Sequence, residues 1–145
     1  MVRPTSPGGG AGDEALLVAW AIALAATLGA LFIGEVMGQA PCALCWYQRI
    51  AMFPLVIVLG VAVVRDDTTA WHYALPLALA GLLVAIWHTL LFFGVISTPI
   101  QPCGPGPSCA DINMSLWGAV PLPALSLIAF LSISLLLVVV ARSRR

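Results

Sequence analysis

Long apolar runs separated by short polar breaks set the rhythm of this chain. Ala15 to Val36, Trp46 to Val64, Trp71 to Ile96 and Trp117 to Ala141 are each nearly free of charge. A bilayer span takes about 20 apolar residues, and each run reaches or approaches that length. Lipid gives the backbone no hydrogen-bond partner outside the segment itself, so such runs form helices. The two-residue alternation of a barrel strand is missing. The pattern therefore predicts an all-α membrane protein, a four-transmembrane-helix bundle with both termini on one side. Residues 1–14 are rich in Gly, Pro and polar residues and read as a disordered cytoplasmic tail. "RDDTTA" (Arg65 to Ala70) reads as a tight turn. Residues 97–116 read as a Gly- and Pro-rich loop, and 142–145 as a second short tail. The first run competes with a signal peptide. It exceeds the roughly 7–15 residues of a signal core, and Pro41 would follow the cleavage site, so a retained span is expected.

Composition agrees. Of 145 residues, 61% are hydrophobic and only 8% charged, against about 25% charged in soluble domains. So few charges cannot cover a water-exposed surface. The formal net charge is zero, and no basic run precedes the last four residues, which argues against a nucleic-acid partner. Arg3, Arg65, Arg142, Arg144 and Arg145 fall on the side of the termini, and only Arg49 falls toward the other side. Positive residues remain in the cytoplasm, so the termini are expected there. Both cysteine pairs then lie on the outer side, where disulfides persist.

Those pairs carry the chemistry. Cys42 and Cys45 stand in "PCALCWYQR" (Pro41 to Arg49), at the start of the second run. Free N–H groups and the positive end of the helix dipole stabilise a thiolate there. Cys42, Cys45 and Arg49 share one face if the helix extends back to Cys42. Arg49 then either snorkels to the headgroups or faces inward beside Cys45. Cys103 and Cys109 bracket "CGPGPSC", a ring too short and too rich in Gly and Pro to be helical. A disulfide across it constrains little chain and suits exchange better than stapling. Four cysteines permit three pairings, and spacing alone does not choose. A four-cysteine zinc site is disfavoured in an oxidising compartment, and no metal is expected. His88 lies about 12 Å inside the outer end of the third run, where an ionisable side chain either serves function or bonds a neighbouring helix. Glu35 either pairs with Arg49 or stays free. His72 reads as interfacial, and Asp111 as a loop residue or cap.

The stretch "EVMGQAPCALCWYQRIAMFPL" (Glu35 to Leu55), with "PCGPGPSCADINMSLWGAVPLPALSLIAF" (Pro102 to Phe130), resembles the disulfide bond formation protein B (DsbB) family, in particular its BdbC-type branch. The resemblance spans all four runs and both cysteine pairs. It implies an enzyme of the bacterial cytoplasmic (inner) membrane. Such an enzyme reoxidises an extracytoplasmic thioredoxin-fold thiol oxidase (DsbA-like) and passes the electrons to a membrane quinone, ubiquinone or menaquinone. Cys103 and Cys109 would meet the partner, with Cys103 forming the mixed disulfide. Cys42 and Cys45 would face the quinone, with Cys45 attacking the ring and Arg49 lying against it. His88 is the candidate for protonating the reduced quinone. The loop cysteines stand closer together here than in enterobacterial members, which leaves less room for a membrane-lying loop helix. Two alternatives remain at this point. One is a vitamin K epoxide reductase-like enzyme, whose CxxC falls late in the bundle rather than before the second span. The other is a non-catalytic membrane protein with structural disulfides.

Overall fold

A computed structural model describes residues 10–96, 109, 115–116 and 118–143. Four helices form: α1 (Ala11–Leu31), α2 (Ala43–Val64), α3 (Trp71–Phe92) and α4 (Leu122–Ser143). All four are long and apolar enough to cross a membrane. Each packs against its neighbours in sequence, and α1 also packs against α4, which closes the ring.

Helix ends follow local chemistry rather than the limits of the apolar runs. α1 starts at Ala11, inside the stretch expected to be tail. Asp13 and Glu14 occupy its first turn, where they suit the dipole, and the Asp13 carboxylate accepts from the Gly10 N–H at 3.3 Å. The last turn of α1 widens into a π turn (Phe32–Val36). α2 starts three residues earlier than the second run, with Cys42 as its extended N-cap. α3 stops at Phe92 although apolar residues continue to Ile96. Gly94 has φ +71, and the bonds Gly94 N–H to Leu91 O (3.1 Å) and Val95 N–H to Leu90 O (3.0 Å) make a Schellman stop. α4 starts at Leu122 rather than Trp117. Gly118 at φ +73 instead lies in the turn of a short antiparallel hairpin, β1 (Ser115–Leu116) against β2 (Val120–Pro121). Between α2 and α3, Asp66 takes φ 51 and the Asp67 carboxylate accepts from the Thr69 N–H at 3.0 Å, closing the expected turn.

The interior is built from small residues. Ala74, Ala78, Gly81 and Ala85 recur every three or four positions along α3 and are buried. Ala15, Ala19 and Ala23 do the same on α1. In lipid no hydrophobic force drives helices together, so close backbone approach and dispersion must do so. α4 supplies the bulk: Phe130, Ile133, Leu137 and Val140 are at most 1% exposed. The Phe130 ring lies on Gly81, where any Cβ would collide with it.

Candidate active site

Pro41 and the extended Cys42 bring the chain into α2, so Cys42 sits just outside the helix and Cys45 inside its first turn. The three groups therefore do not share one helical face. Cys45 and Arg49 do, one turn apart, while Cys42 reaches Cys45 from the cap. The Cys42 thiol donates to Cys45 Sγ at 3.3 Å, and both are free cysteines. That bond, followed by burial, pushes the Cys42 thiol up to about 12. Cys45 is therefore the sulfur that accepts within the pair.

α3 delivers His88 to the same point. Because α3 ends at Phe92, His88 lies one turn, about 6 Å, from the helix end rather than 12 Å. It is fully buried, with Nε2 3.8 Å from Cys42 Sγ. Its other nitrogen, Nδ1, lies 3.3 Å from the Gln48 side-chain nitrogen. A Gln48 amide that donates to Nδ1 leaves the proton on Nε2, facing the sulfur. Gln48 is 8% exposed and carried no role in the sequence reading. The signal was present: it is a polar residue inside a span, three positions after Cys45.

Arg49 turns inward. Its Nη2 donates to the Ala30 carbonyl at 2.8 Å, and its Cζ lies 5.4 Å from the Trp46 ring centroid. Gly34, in the π turn, leaves room for the guanidinium. Such turns often mark functional sites. Glu35 is exposed on the same turn. His72 is exposed at the far end of α3, where it stacks on Trp71.

Cys45, Gln48, Arg49 and His88 all line a cavity of about 770 Å³. The rest of its lining is mostly aliphatic, from α1, α2 and α4, with Phe130 among it. Thr27 also lines it, its hydroxyl buried and without a hydrogen-bond partner among the described residues. Leu125 and Ile128 lie on the rim and are exposed, so the mouth opens on the flank of the bundle.

Cys109 packs against Cys42. It is buried in a small cluster with Cys42, Leu44 and Leu91. Its sulfur lies within hydrogen-bond reach of Cys42 and of the Ala43 and Leu44 backbone N–H groups at the start of α2. Burial first, then Cys42, push its thiol up to about 11. Cys103 and Asp111 lie outside the described residues.

Four apolar helices with a dithiol at the mouth of one of them, its Cys42 buried and its Cys45 half-buried, define a membrane thiol–disulfide protein. The comparisons agree. The model of the family "Disulfide bond formation protein DsbB" matches residues 13–140, and the chain belongs to that family. The chain is 57% identical over 128 residues to a "Probable disulfide formation protein" of Metapseudomonas resinovorans, covering 88% of this chain and 89% of that one. It is 41% identical over 118 residues to "Disulfide bond formation protein C" of Bacillus subtilis, covering 81% and 86%. A "Probable disulfide formation protein" of Coxiella burnetii is 40% identical over 127 residues, covering 87% and 86%. No solved structure matches. Family membership implies thiol–disulfide oxidation at a membrane, and it sets the chain apart from the vitamin K epoxide reductase-like alternative.

Proposed function

We propose that this protein reoxidises a thioredoxin-fold thiol oxidase outside the bacterial inner membrane and passes the electrons to a membrane quinone. One observation carries the reading: Cys42 and Cys45 stand between two different neighbours. Cys42 is buried against Cys109, and Cys45, which touches the same cluster, also lines the apolar cavity. A sulfur row of this kind can move a disulfide from water toward lipid.

In the first exchange a partner thiolate attacks Cys103 of the Cys103–Cys109 disulfide, and Cys109 leaves as a thiolate. The partner's second thiol then attacks the mixed disulfide. The partner becomes oxidised and the loop pair holds two thiols. In the second exchange Cys109 attacks Cys42 of the Cys42–Cys45 disulfide, and Cys45 leaves. The N–H groups of Ala43 and Leu44 face the attacking sulfur, and the helix end favours the leaving one. Cys103 resolves the Cys42–Cys109 bond, which leaves the loop oxidised and the helix pair reduced.

Ubiquinone or menaquinone, when bound, supplies a lipid-soluble acceptor for two electrons and two protons. The cavity suits such a group. Its volume lies within the roughly 300–1,000 Å³ of ligand pockets, its wall is mostly apolar, and Cys45, Gln48, Arg49 and His88 are among the few polar groups on it. Cys45, Arg49 and His88 would hold it. Arg49 would donate to a carbonyl oxygen, and His88 Nε2–H is the proton nearest the sulfurs. The flank opening admits a ligand from lipid.

Orientation follows from charge. Arg65 and Arg142 lie at one end of the bundle and the cysteines at the other, which supports cytoplasmic termini.

A Cys109→Ser protein should accumulate a mixed disulfide through Cys103 with an outer thioredoxin-fold protein. Purified wild-type protein should release a quinone on lipid extraction. Normal turnover by a Cys45→Ser protein, or labelling of either pair from the cytoplasmic side, would overturn the reading.

A further inference from the structure

The reduced form of the buried pair presents more than a redox couple. Cys42 Sγ, Cys45 Sγ and a His88 ring nitrogen lie within 4.8 Å of one another. The sulfurs are 3.3 Å apart, and Cys42 Sγ is 3.8 Å from His88 Nε2. In a tetrahedral zinc site, bonds of about 2.3 Å to sulfur and about 2.0–2.1 Å to nitrogen put neighbouring ligand atoms about 3.5–3.8 Å apart. The two measured separations fall within about 0.5 Å of those edges. Three donors so placed, at the cap and first turn of α2 and on α3, with Cys42 and His88 buried, match borderline-soft, tetrahedral cations.

We propose that the reduced protein binds one thiophilic divalent cation of the zinc class through Cys42, Cys45 and His88, and that this cation arrests the redox cycle. Two thiols give up their protons to solvent, two sulfur–metal bonds and one nitrogen–metal bond form, and no electron moves. The fourth position stays open to a small ligand. Gln48 completes the arrangement. A metal on Nε2 leaves the proton on Nδ1, and the Gln48 amide needs only to turn its oxygen to accept it. The metal-held pair cannot close to a disulfide, so the ion and the oxidised state exclude each other. This is not the four-cysteine structural site considered from the sequence, because the loop cysteines play no part. The inference rests on the pair becoming reduced during turnover and does not depend on which acceptor reoxidises it.

The test uses full-length protein, reduced and purified in detergent, with Co²⁺ as the visible probe and Zn²⁺ as competitor. A Cys103→Ser/Cys109→Ser protein should bind one Co²⁺ per chain, with the absorbance of a tetrahedral thiolate site, and Zn²⁺ should displace it. Cys42→Ser and Cys45→Ser should each abolish that spectrum. His88→Ala should weaken binding at least tenfold, and His88→Gln covers a failure of the alanine protein to fold. Gln48→Leu should weaken it about 10–100-fold, as loss of an outer-shell partner does. Protein oxidised to the Cys42–Cys45 disulfide should bind none. Binding that disappears with the loop cysteines, or that ignores His88 in a folded variant, overturns the proposal. So does a reduced protein that binds no Co²⁺. Metal binding that holds while quinone reduction fails would separate this inference from the proposed function.

Discussion

Gly34→Ala moves the Arg49 guanidinium without removing its charge. An ideal Cβ at Gly34 lands 2.8 Å from Arg49 Nη2, 3.5 Å from Nη1 and 3.6 Å from Cζ. An ordinary contact is about 3.5 Å, so something must shift by about 0.7 Å. The guanidinium is the end of a flexible side chain, and it gives way before the helix does. Its 2.8 Å bond to the Ala30 carbonyl then stretches beyond the hydrogen-bond range of about 3.2 Å. A hydrogen bond to a charged group contributes about 1.5–3 kcal/mol. Arg49 is only half-buried, so the lower end applies, and about 1.4 kcal/mol is one factor of ten. The expected result is a roughly tenfold rise in KM for the proposed quinone acceptor, with Tm lowered by a few degrees. Steady-state turnover in detergent, with acceptor titrated and Tm measured in parallel, reads both. An unchanged acceptor KM in Gly34→Ala, alongside a large change in Arg49→Ala, would show that charge alone matters. That result would refute the argument from position.

The other predictions concern the core, the thiols and the histidine. Gly81→Ala drives a methyl into the buried Phe130 ring, which cannot retreat, and should destabilise the bundle by about 1–3 kcal/mol. A thermal melt in detergent checks this, and Phe130→Leu should restore part of the loss. Cys109, raised from 9.0 to about 11, carries roughly 100-fold less thiolate at pH 8 than an ordinary cysteine. Its alkylation in the reduced protein, followed peptide by peptide by mass spectrometry, should therefore rise about tenfold per pH unit up to about pH 10. A plateau near pH 9 would contradict the burial argument. Gln48→Leu leaves His88 Nδ1 without its buried partner, at a cost of about 1–3 kcal/mol, and frees the tautomer. The pH–rate profile should shift, and an unaltered profile would leave Gln48 a packing residue.

Much of the bundle was legible before any coordinates. Apolar length and the lack of charge give four helices. Gly, Pro and Asp mark the breaks between them, and the cysteines fall in two close pairs along the chain. Helix ends were less legible, because they depend on single residues within apolar stretches. Gly94 ends α3 early, Gly118 delays α4, and Asp13 starts α1 sooner than composition implies. The distance of His88 from the end of its helix is shorter than the apolar run implies for that reason.

The sequence by itself determined that the chain lives in lipid and carries a dithiol at the mouth of a span. It could not say which face of each helix points inward. In water, the buried face is apolar and the other polar, so periodicity reveals it. Here every face is apolar, and only the small residues distinguish helix contacts from lipid contacts. Packing alone decided that α3 carries His88 to Cys42, that Gln48 reaches His88, and that the π turn admits Arg49 at Gly34. It also set Cys109 against Cys42 and opened the cavity beside Cys45. The His88 pairings join residues 40 or more positions apart, Cys109 lies farther still from Cys42, and Gly34 meets Arg49 across the α1–α2 connection, so no local pattern encodes them.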